Sequence, residues 1–191
     1  YTRLSFVDFL YRMEAELTAP LFKRPEMLAW TEGLEHFLEE QALVGKVSSA
    51  VDALKKAHYE LNLRPIPEDA TKQERARIRR RNESFYAIPE SAAGAGQVFI
   101  QLEGMKKKDS LFHLVTRDYQ QANLWIQLKS GDNRDMEAVV ADVEQYLERH
   151  PPPVAIEQGW AGLTYLNVVW QDKMVVGMLS SLAGSFVVVL I

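Results

Sequence analysis

The segment MVVGMLSSLAGSFVVVLI, residues Met174 to Ile191, decides how the rest of the chain is interpreted. Its eighteen residues carry no charge, and they directly follow the polar residues Gln171, Asp172 and Lys173. As a helix rising about 1.5 Å per residue, the segment reaches the lower limit of length for crossing the hydrocarbon of a bilayer. We therefore predict that residues 173–191 begin a transmembrane helix, that a water-exposed domain of roughly 170 residues precedes it, and that the protein continues beyond it.

A buried C-terminal helix or core strand is the alternative for this segment, since Phe186 to Ile191 alone would suit an interior strand. The uncharged run is longer than most core elements, however, and its small residues Gly177, Ser181 and Ser185 recur at every fourth position. This spacing forms a smooth stripe along which another membrane helix can approach closely. Length and spacing together favour the membrane interpretation.

The composition is that of a globular domain without cysteine chemistry. The chain has 191 residues, a formal net charge of −4 and no cysteine. Its length suits one domain, or one domain with an insertion. The acidic balance gives no support for a nucleic-acid partner, and the lack of cysteine excludes disulfides and cysteine-based zinc sites.

The first sixty residues have the apolar spacing of helices. Ser5 is a candidate cap for a first helix that ends at Pro20, and Pro25 suits the first position of a second helix. The second helix places apolar residues on one face, namely Met27, Trp30, Leu34, Phe37 and Leu38. Four glutamates take its solvent side in this interpretation: Glu32, Glu35, Glu39 and Glu40. After a break around Gly45, Ser49 is a candidate start for a third helix.

The middle of the chain is polar and rich in arginine. Pro65 and Pro67 predict a loop, and the charged segment from Lys72 to Ser84 contains Ile78 as its main apolar residue. A solvated helix face or an insertion is the ordinary explanation for such a segment. Contact with anionic lipid headgroups is the alternative.

A strand, a helix and a second strand are predicted in the last third. Asn123 to Leu128 alternates apolar and polar residues, and Asp132 is a candidate cap for the helix that follows. That helix ends at His150 before three prolines, and Val154 and Ile156 are predicted to open the second strand. A right-handed parallel crossover is the expected geometry of the unit.

Catalytic and metal-binding patterns are weak. The four histidines lie far apart, and the chain contains neither an HExxH pattern, a GxSxG elbow nor a glycine-rich phosphate loop. Glu32, His36 and Glu39 or Glu40 would share one helical surface, but a glutamate-rich solvent face explains the same residues. We therefore predict neither an enzyme, a metal site nor a cofactor.

Aromatic residues near the uncharged segment are the remaining candidates for a binding site. Trp170 and Lys173 have the positions of membrane-interface residues. Core packing is the ordinary explanation for Trp125, but an apolar groove that binds a lipid is the sharper hypothesis. Its candidate residues are Trp125, Trp160 and Tyr165.

Two stretches resemble a family of membrane exporters. They are ANLWIQLKSGDNRDMEAVVADVEQYLERHPPP and GWAGLTYLNVVWQDKMVVGMLSSLAGSFVVVLI. Together they resemble an extracytoplasmic domain of RND-superfamily exporters and its entry into the next membrane helix, most nearly the MMPL-like branch with its hopanoid-associated members. The upstream LVGKVSSAVDALKKAHYELN is similar to the helical stretch that precedes a strand in these proteins. The resemblance covers about two thirds of the chain and rests on the order of elements.

The resemblance implies an α+β fold with a ferredoxin-like strand–helix–strand porter subdomain and a long helical insertion. We accordingly expect a mainly helical part over 1–105, the porter subdomain over 106–172 and the start of a transmembrane helix over 173–191. The implied function is that of the periplasmic domain of a proton-driven exporter in the bacterial inner membrane, which binds a lipid or another hydrophobic molecule and passes it on. The rest of the transporter chain, a second copy and a periplasmic protein are the implied partners.

Two other classes of function stay open at this point. An extracytoplasmic ligand-sensing domain of a membrane receptor would have the same soluble domain and membrane helix. A soluble helical adaptor would instead use Met174 to Ile191 as part of its core.

Overall fold

The computed structural model of the protein describes residues 6–105 and 108–190. Helices predominate, and a two-stranded antiparallel sheet places the chain in the α+β class. The elements are α1 Phe6–Thr18, α2 Pro25–Glu39, β1 Val44–Ser48, α3 Ala50–Asn62, α4 Lys72–Glu83, α5 Ala92–Glu103, β2 Trp125–Leu128, α6 Asn133–Arg149 and α7 Leu163–Leu190. Short 3-10 helices cover Leu21–Lys23 and Lys108–His113.

The described residues form two compact units. The first contains the described residues up to Glu39 and those from Val47 to Ile126, and the second contains Glu40 to Lys46 and the residues from Gln127 onward. The chain therefore passes from one unit to the other three times: after Glu39, within β1 and within β2. Residue 172, predicted as the last residue before the membrane helix, lies inside the continuous helix α7.

Local sequence determines where the helices of the first unit begin and end. Helix α2 begins at Pro25, as predicted from its fixed φ angle. Ser49 caps α3, because its side-chain oxygen accepts a hydrogen bond from the N–H of Val51 at 2.9 Å. The guanidinium of Arg24 donates to the carbonyls of Leu17 and Ala19, which terminates α1 before Pro20. The predicted cap Ser5 lies outside the described residues.

The arginine-rich segment forms helix α4 and is held by polar contacts. Thr71 and Glu74 make a reciprocal capping box at its start. The buried amide of Asn82 donates to the carbonyl of Arg64 at 2.9 Å and accepts from the N–H of Arg64 at 3.1 Å. Arg81 also donates to the carbonyl of Asn62 at 3.0 Å, which satisfies the end of α3. These contacts fix α4 without a broad apolar face.

The strand predicted over Asn123 to Leu128 is confirmed as β2, Trp125–Leu128, whereas its partner β1 was not predicted. A break was expected around Gly45, but Gly45 lies inside β1, where an added Cβ would come within 3.3 Å of the carbonyl oxygen of Gln127. Glycine permits this close approach between the strands. The N–H of Lys129 donates to the carbonyl of Leu43 at 2.9 Å, which sets the antiparallel register.

The predicted second strand at Val154 and Ile156 is wrong. Residues 151–162 form neither helix nor strand, although Val154 and Ile156 have the β-branched side chains typical of strands. A strand requires a partner for its backbone groups, and β2 is paired with β1 rather than with this segment. The expected parallel strand–helix–strand crossover is therefore absent from the described residues.

The second unit is built around α6 and the beginning of α7. Asp132 caps α6 as predicted, by accepting a hydrogen bond from the N–H of Arg134 at 2.9 Å. Helix α6 buries Met136, Val139 and Val143, which recur at helical spacing, and packs against α7. Its first residue, Asn133, also donates to the side chain of Gln171 at 2.8 Å.

Tyr119 joins three parts of the first unit. Its carbonyl accepts from the N–H of Phe22 at 2.9 Å, and its ring lies 4.8 Å from the ring of Phe99. The ammonium of Lys23 lies 3.9 Å from the ring centroid, and the Tyr119 hydroxyl donates to Glu103 on α5. Among the described non-glycine residues only Tyr119 has a positive φ, 56°, and its side chain is 2% exposed. Its packing therefore outweighs an unfavourable backbone conformation.

We expect Tyr119→Ala to lower the free energy of unfolding by about 3–5 kcal/mol, the cost of removing a large buried ring. Tyr119→Phe keeps the ring and loses the hydrogen bond to Glu103, so a loss of about 1–2 kcal/mol is expected. Urea unfolding followed by circular dichroism measures both values. Tyr86→Ala is the control, because Tyr86 is half exposed. Equal losses for Tyr119→Ala and Tyr86→Ala would contradict the joining role of Tyr119.

Candidate functional site

The described part of α7 after Lys173 is uncharged and exposed, and its large apolar side chains face solvent. Every residue from Gln171 to Phe186 is exposed, whereas Thr164, Tyr165, Val168 and Val169 in the first half are half-buried. The large exposed side chains of the second half are Met174, Val175, Val176, Met178, Leu179, Leu182 and Phe186. At 3.6 residues per turn these side chains spread over more than half of the helix circumference, which is wider than a single interaction face.

Two of the three serine hydroxyls after Lys173 in the described part of α7 donate hydrogen bonds within the helix. The hydroxyl of Ser180 donates to the carbonyl of Val176, and that of Ser185 donates to the carbonyl of Ser181 at 2.9 Å. Such bonds to the preceding turn hide a hydroxyl from an apolar environment. Met174 to Leu190 contains no charged residue. The described part of this segment therefore exposes few polar groups and no charge.

One face of α7 carries a shallow depression. It is lined by Met174, Gly177, Met178, Leu179, Ser181, Leu182 and Ser185. The three small residues predicted as a stripe thus lie along the same recess, with larger apolar side chains at its borders. The recess is open to solvent, and it has the shape on which a second apolar helix packs closely.

The predicted aromatic site is assembled only in part. Trp160 and Tyr165 are both half-buried in the second unit, with ring centroids 6.3 Å apart and an angle of 33° between the rings. Trp125 lies at the start of β2 within the first unit, and its side chain is 57% exposed. Its indole N–H is 3.4 Å from the carbonyl of His113. The structure therefore brings Trp160 and Tyr165 together as a pair.

The predicted interface residues both lie on α7 immediately before its apolar half. Trp170 is 65% exposed, and Lys173 is exposed as well. Gln171 and Asp172 separate Trp170 from Lys173, so a short polar segment of α7, Gln171 to Lys173, precedes its apolar half. An indole next to such a polar segment is the arrangement found where a helix passes from water into lipid.

Within residues 6–105 and 108–190, no set of three or more histidine, aspartate and glutamate side chains is placed to hold a metal ion. In the segment EGLEHFLEE, His36 is exposed while Glu35 is buried, so these side chains lie on different faces of α2. In the same two ranges, no helix is long and apolar enough to cross a membrane.

Comparisons with protein-family models, with curated proteins and with solved structures find no match. The chemistry of the site must therefore be inferred from the geometry of this chain.

The sequence pattern places one glutamate on the wrong face of α2. Glu35 was assigned to the solvent side of α2, but its side chain is 5% exposed and lies on the buried face with Leu34 and Leu38. The Ser49 hydroxyl forms a hydrogen bond with its carboxyl group. Glu35 follows Leu28 by seven positions and Thr31 by four, so helical spacing puts the three side chains on one face, and tertiary packing decides that this face is buried.

Burial changes the acidity of Glu35. Desolvation is the largest effect and raises the pKa of its carboxyl group to about 7, from the ordinary value of 4.5. The charges of Asp52, Glu39 and Glu32 raise this pKa further, whereas the hydrogen bond from Ser49 lowers it. Glu35 therefore exchanges its proton in the physiological pH range, unlike an exposed glutamate.

Removing residues 174–191 should leave the fold intact, because the described side chains from Met174 to Phe186 are exposed. We expect the chain ending at Lys173 to unfold in urea within about 1 kcal/mol of the full chain. Analytical ultracentrifugation should show it monomeric, while the full chain self-associates without detergent. A chain ending at Gly162 is the control, since it also loses the half-buried residues of α7 and uncovers α6. Unfolding of the Lys173 variant would place the apolar segment in the core.

Proposed function

We propose that α7 enters a lipid bilayer at Met174 and anchors the preceding residues at the membrane surface. The observation that carries this proposal is that every residue of α7 from Met174 to Phe186 is exposed and uncharged, with large apolar side chains over more than half of the helix circumference. Water is a poor solvent for such a surface, and a protein partner on one face would leave the other faces exposed. Hydrocarbon covers all faces at once. The proposal concerns the entry of the helix into the membrane and not a complete crossing.

The energetic gain from this transfer is large. Burial of one Val, Leu, Met or Phe side chain contributes about 1.5–3 kcal/mol relative to full exposure. The seven large side chains, from Met174 to Phe186, are each between 42% and 66% exposed. Even a partial gain for each gives a total on the order of 10 kcal/mol. The helix backbone and the hydroxyls of Ser180 and Ser185 already have hydrogen-bond partners, so they oppose the transfer only weakly.

The membrane surface in this proposal lies at the polar segment of α7, Gln171 to Lys173. Lys173 directs its ammonium toward the headgroups, and Trp170 places its indole at the same level. Asp172 and Gln171 then stay in water, where Gln171 accepts the hydrogen bond from Asn133 of α6. The contact between α6 and α7 thereby fixes the second unit to the part of α7 nearest the membrane.

The specific function that we propose is that of a periplasmic domain of an RND-type exporter in the bacterial inner membrane. Its support is the sequence resemblance, together with the order of β2, α6 and a long helix that ends in an uncharged segment. A complete ferredoxin-like subdomain would require residues 154–156 to pair as a strand with another part of the exporter. The energy would come from proton flow through membrane helices of the remaining chain.

A hydrophobic or lipid molecule, such as a hopanoid or sterol, is the proposed substrate. Trp160 and Tyr165 supply two adjacent, half-buried aromatic rings close to the start of α7. Rings of this kind offer broad apolar contact, and the hydroxyl of Tyr165 can accept or donate one hydrogen bond. Trp125, an exposed ring of the first unit, is a separate candidate for contact with the substrate. The other proposed partners are the membrane, the remaining transporter chain, a second copy and a periplasmic protein.

Membrane entry can be tested by flotation of the purified chain with phosphatidylcholine vesicles. We expect Leu179→Lys to reduce the partition coefficient about 100-fold, because a lysine at the centre of an apolar helix costs about 3 kcal/mol. Asn167→Lys is the control, since it adds the same charge at an exposed position of α7 outside the uncharged segment and should float like the original chain. Equal flotation of the two variants, or no flotation of the original chain, would contradict the proposal.

Substrate binding can be tested with a fluorescent sterol in detergent micelles. Trp160→Ala and Tyr165→Ala should each weaken binding about tenfold, the effect of losing about 1.4 kcal/mol of aromatic contact. Tyr165→Phe keeps the ring and is the control. Trp125→Ala tests the third candidate separately, and unchanged affinity would remove Trp125 from the site. Unchanged affinity in all variants would favour a function without lipid binding and leave the flotation result standing.

A further inference from the structure

A buried carboxyl group lies at the contact between α2 and α3. Glu35 projects from the buried face of α2, and Ser49, which is 2% exposed, caps the start of α3. The two side chains are joined by a hydrogen bond. The second carboxyl oxygen of Glu35, Oε1, is buried and has no hydrogen-bond partner among the described residues. This arrangement couples one titratable group to the packing of two helices.

The hydrogen bonds around Ser49 indicate which form of Glu35 fits this position. The oxygen of Ser49 accepts from the N–H of Val51 at 2.9 Å, which leaves the hydroxyl proton for Glu35. One donor satisfies the carbonyl oxygen of a neutral carboxylic acid. An ionised carboxylate would need several donors, and Oε1 has none, so the charged form is poorly solvated here.

The charges that face Glu35 also oppose its ionisation. Glu32 and Glu39 lie on α2, and Asp52 lies on α3, and all three are acidic. Lys55 faces this region from α3, but it forms an ion pair with Glu32. From the 3-10 helix that packs on α2, Lys23 places its ammonium over the ring of Tyr119. The surrounding field is therefore negative at Glu35.

We propose that the proton on Glu35 holds α2 and α3 together, and that loss of this proton loosens their contact. The group is neutral and well packed in mildly acidic solution. Above neutral pH the carboxylate is drawn toward water, and separation of α2 from α3 is the movement that hydrates it. The cap of α3 takes part in this change, because Ser49 contacts both helices. The proposal is independent of membrane entry by α7.

The sign of the pH dependence follows from the direction of the shift. The folded-state pKa of Glu35, about 7, is higher than the ordinary value of 4.5 that applies to the unfolded chain. The proton therefore binds the folded state more tightly, and its stabilising effect is fully present below pH 4.5. The effect decreases as the pH rises and is lost once the pH exceeds the folded-state value.

Amide hydrogen exchange of the full chain in detergent tests this inference. After correction for intrinsic rates, protection of α2 and α3 should be about tenfold lower at about pH 8 than at about pH 5.5. Glu35→Gln keeps the shape without a titrating proton, so its protection should be equal at the two pH values. Glu26→Gln removes an exposed carboxylate of the same helix that does not contribute to the pKa of Glu35, and it should retain the pH dependence.

Three results would overturn the inference. The first is equal protection of α2 and α3 at the two pH values in the wild-type chain. The second is a pH-dependent protection that persists in Glu35→Gln. The third is a pH-dependent loss of protection that extends evenly over α4 and α6. A ¹³C NMR titration of the Glu35 carboxyl in the wild-type chain does not depend on the folding of any variant. A midpoint near pH 7 is expected, and a midpoint at the ordinary glutamate value would equally overturn the proposal.

Discussion

The apolar surface of α7 is the constraint on which the interpretation of this protein depends. Within the described residues, α6 covers part of the first half of α7, and the residues from Gln171 to Phe186 stay exposed. Transfer of this surface from water to an apolar environment would gain a free energy on the order of 10 kcal/mol. This gain is comparable to the whole free energy of unfolding of a domain, so an apolar environment is strongly favoured. A bilayer supplies one on every side of the helix, and this is why anchoring ranks above binding to a single protein face.

The first unit obtains its stability from a separate set of contacts. Its core contains five fully buried residues, Met27, Leu28, Leu38, Leu54 and Phe99. Tyr119, which follows the 3-10 helix Lys108–His113, packs its ring against Phe99. Backbone groups at the helix ends are satisfied by Arg24, Asn82 and Arg81. Since these interactions involve no residue of α7, the first unit can keep its structure whatever surrounds the apolar helix.

Two buried polar residues of the first unit, Asn82 and Glu35, differ in how fully they are hydrogen-bonded. Asn82 has both its donor and its acceptor engaged with the backbone of Arg64, so it acts as a fixed polar contact. Glu35 has one engaged oxygen and one without a partner. A fully satisfied group adds specificity to the fold, whereas a partly satisfied carboxyl group responds to its protonation state. The physical difference between the two residues thus separates a structural contact from a pH-dependent one.

The sequence by itself determined the features that depend on neighbouring residues. Pro25, Ser49 and Asp132 placed the starts of α2, α3 and α6, and the uncharged run after Lys173 identified the helix with the unusual surface. Caps and apolar runs act over a few residues, so they can be read without a fold. Only the tertiary structure decided that Glu35 is buried, that β1 pairs with β2, that Val154 and Ile156 lie outside any strand, and that Tyr119 has a positive φ. Each of these depends on which distant segments meet, because burial, strand pairing and the compensation of backbone strain all require partners from elsewhere in the chain.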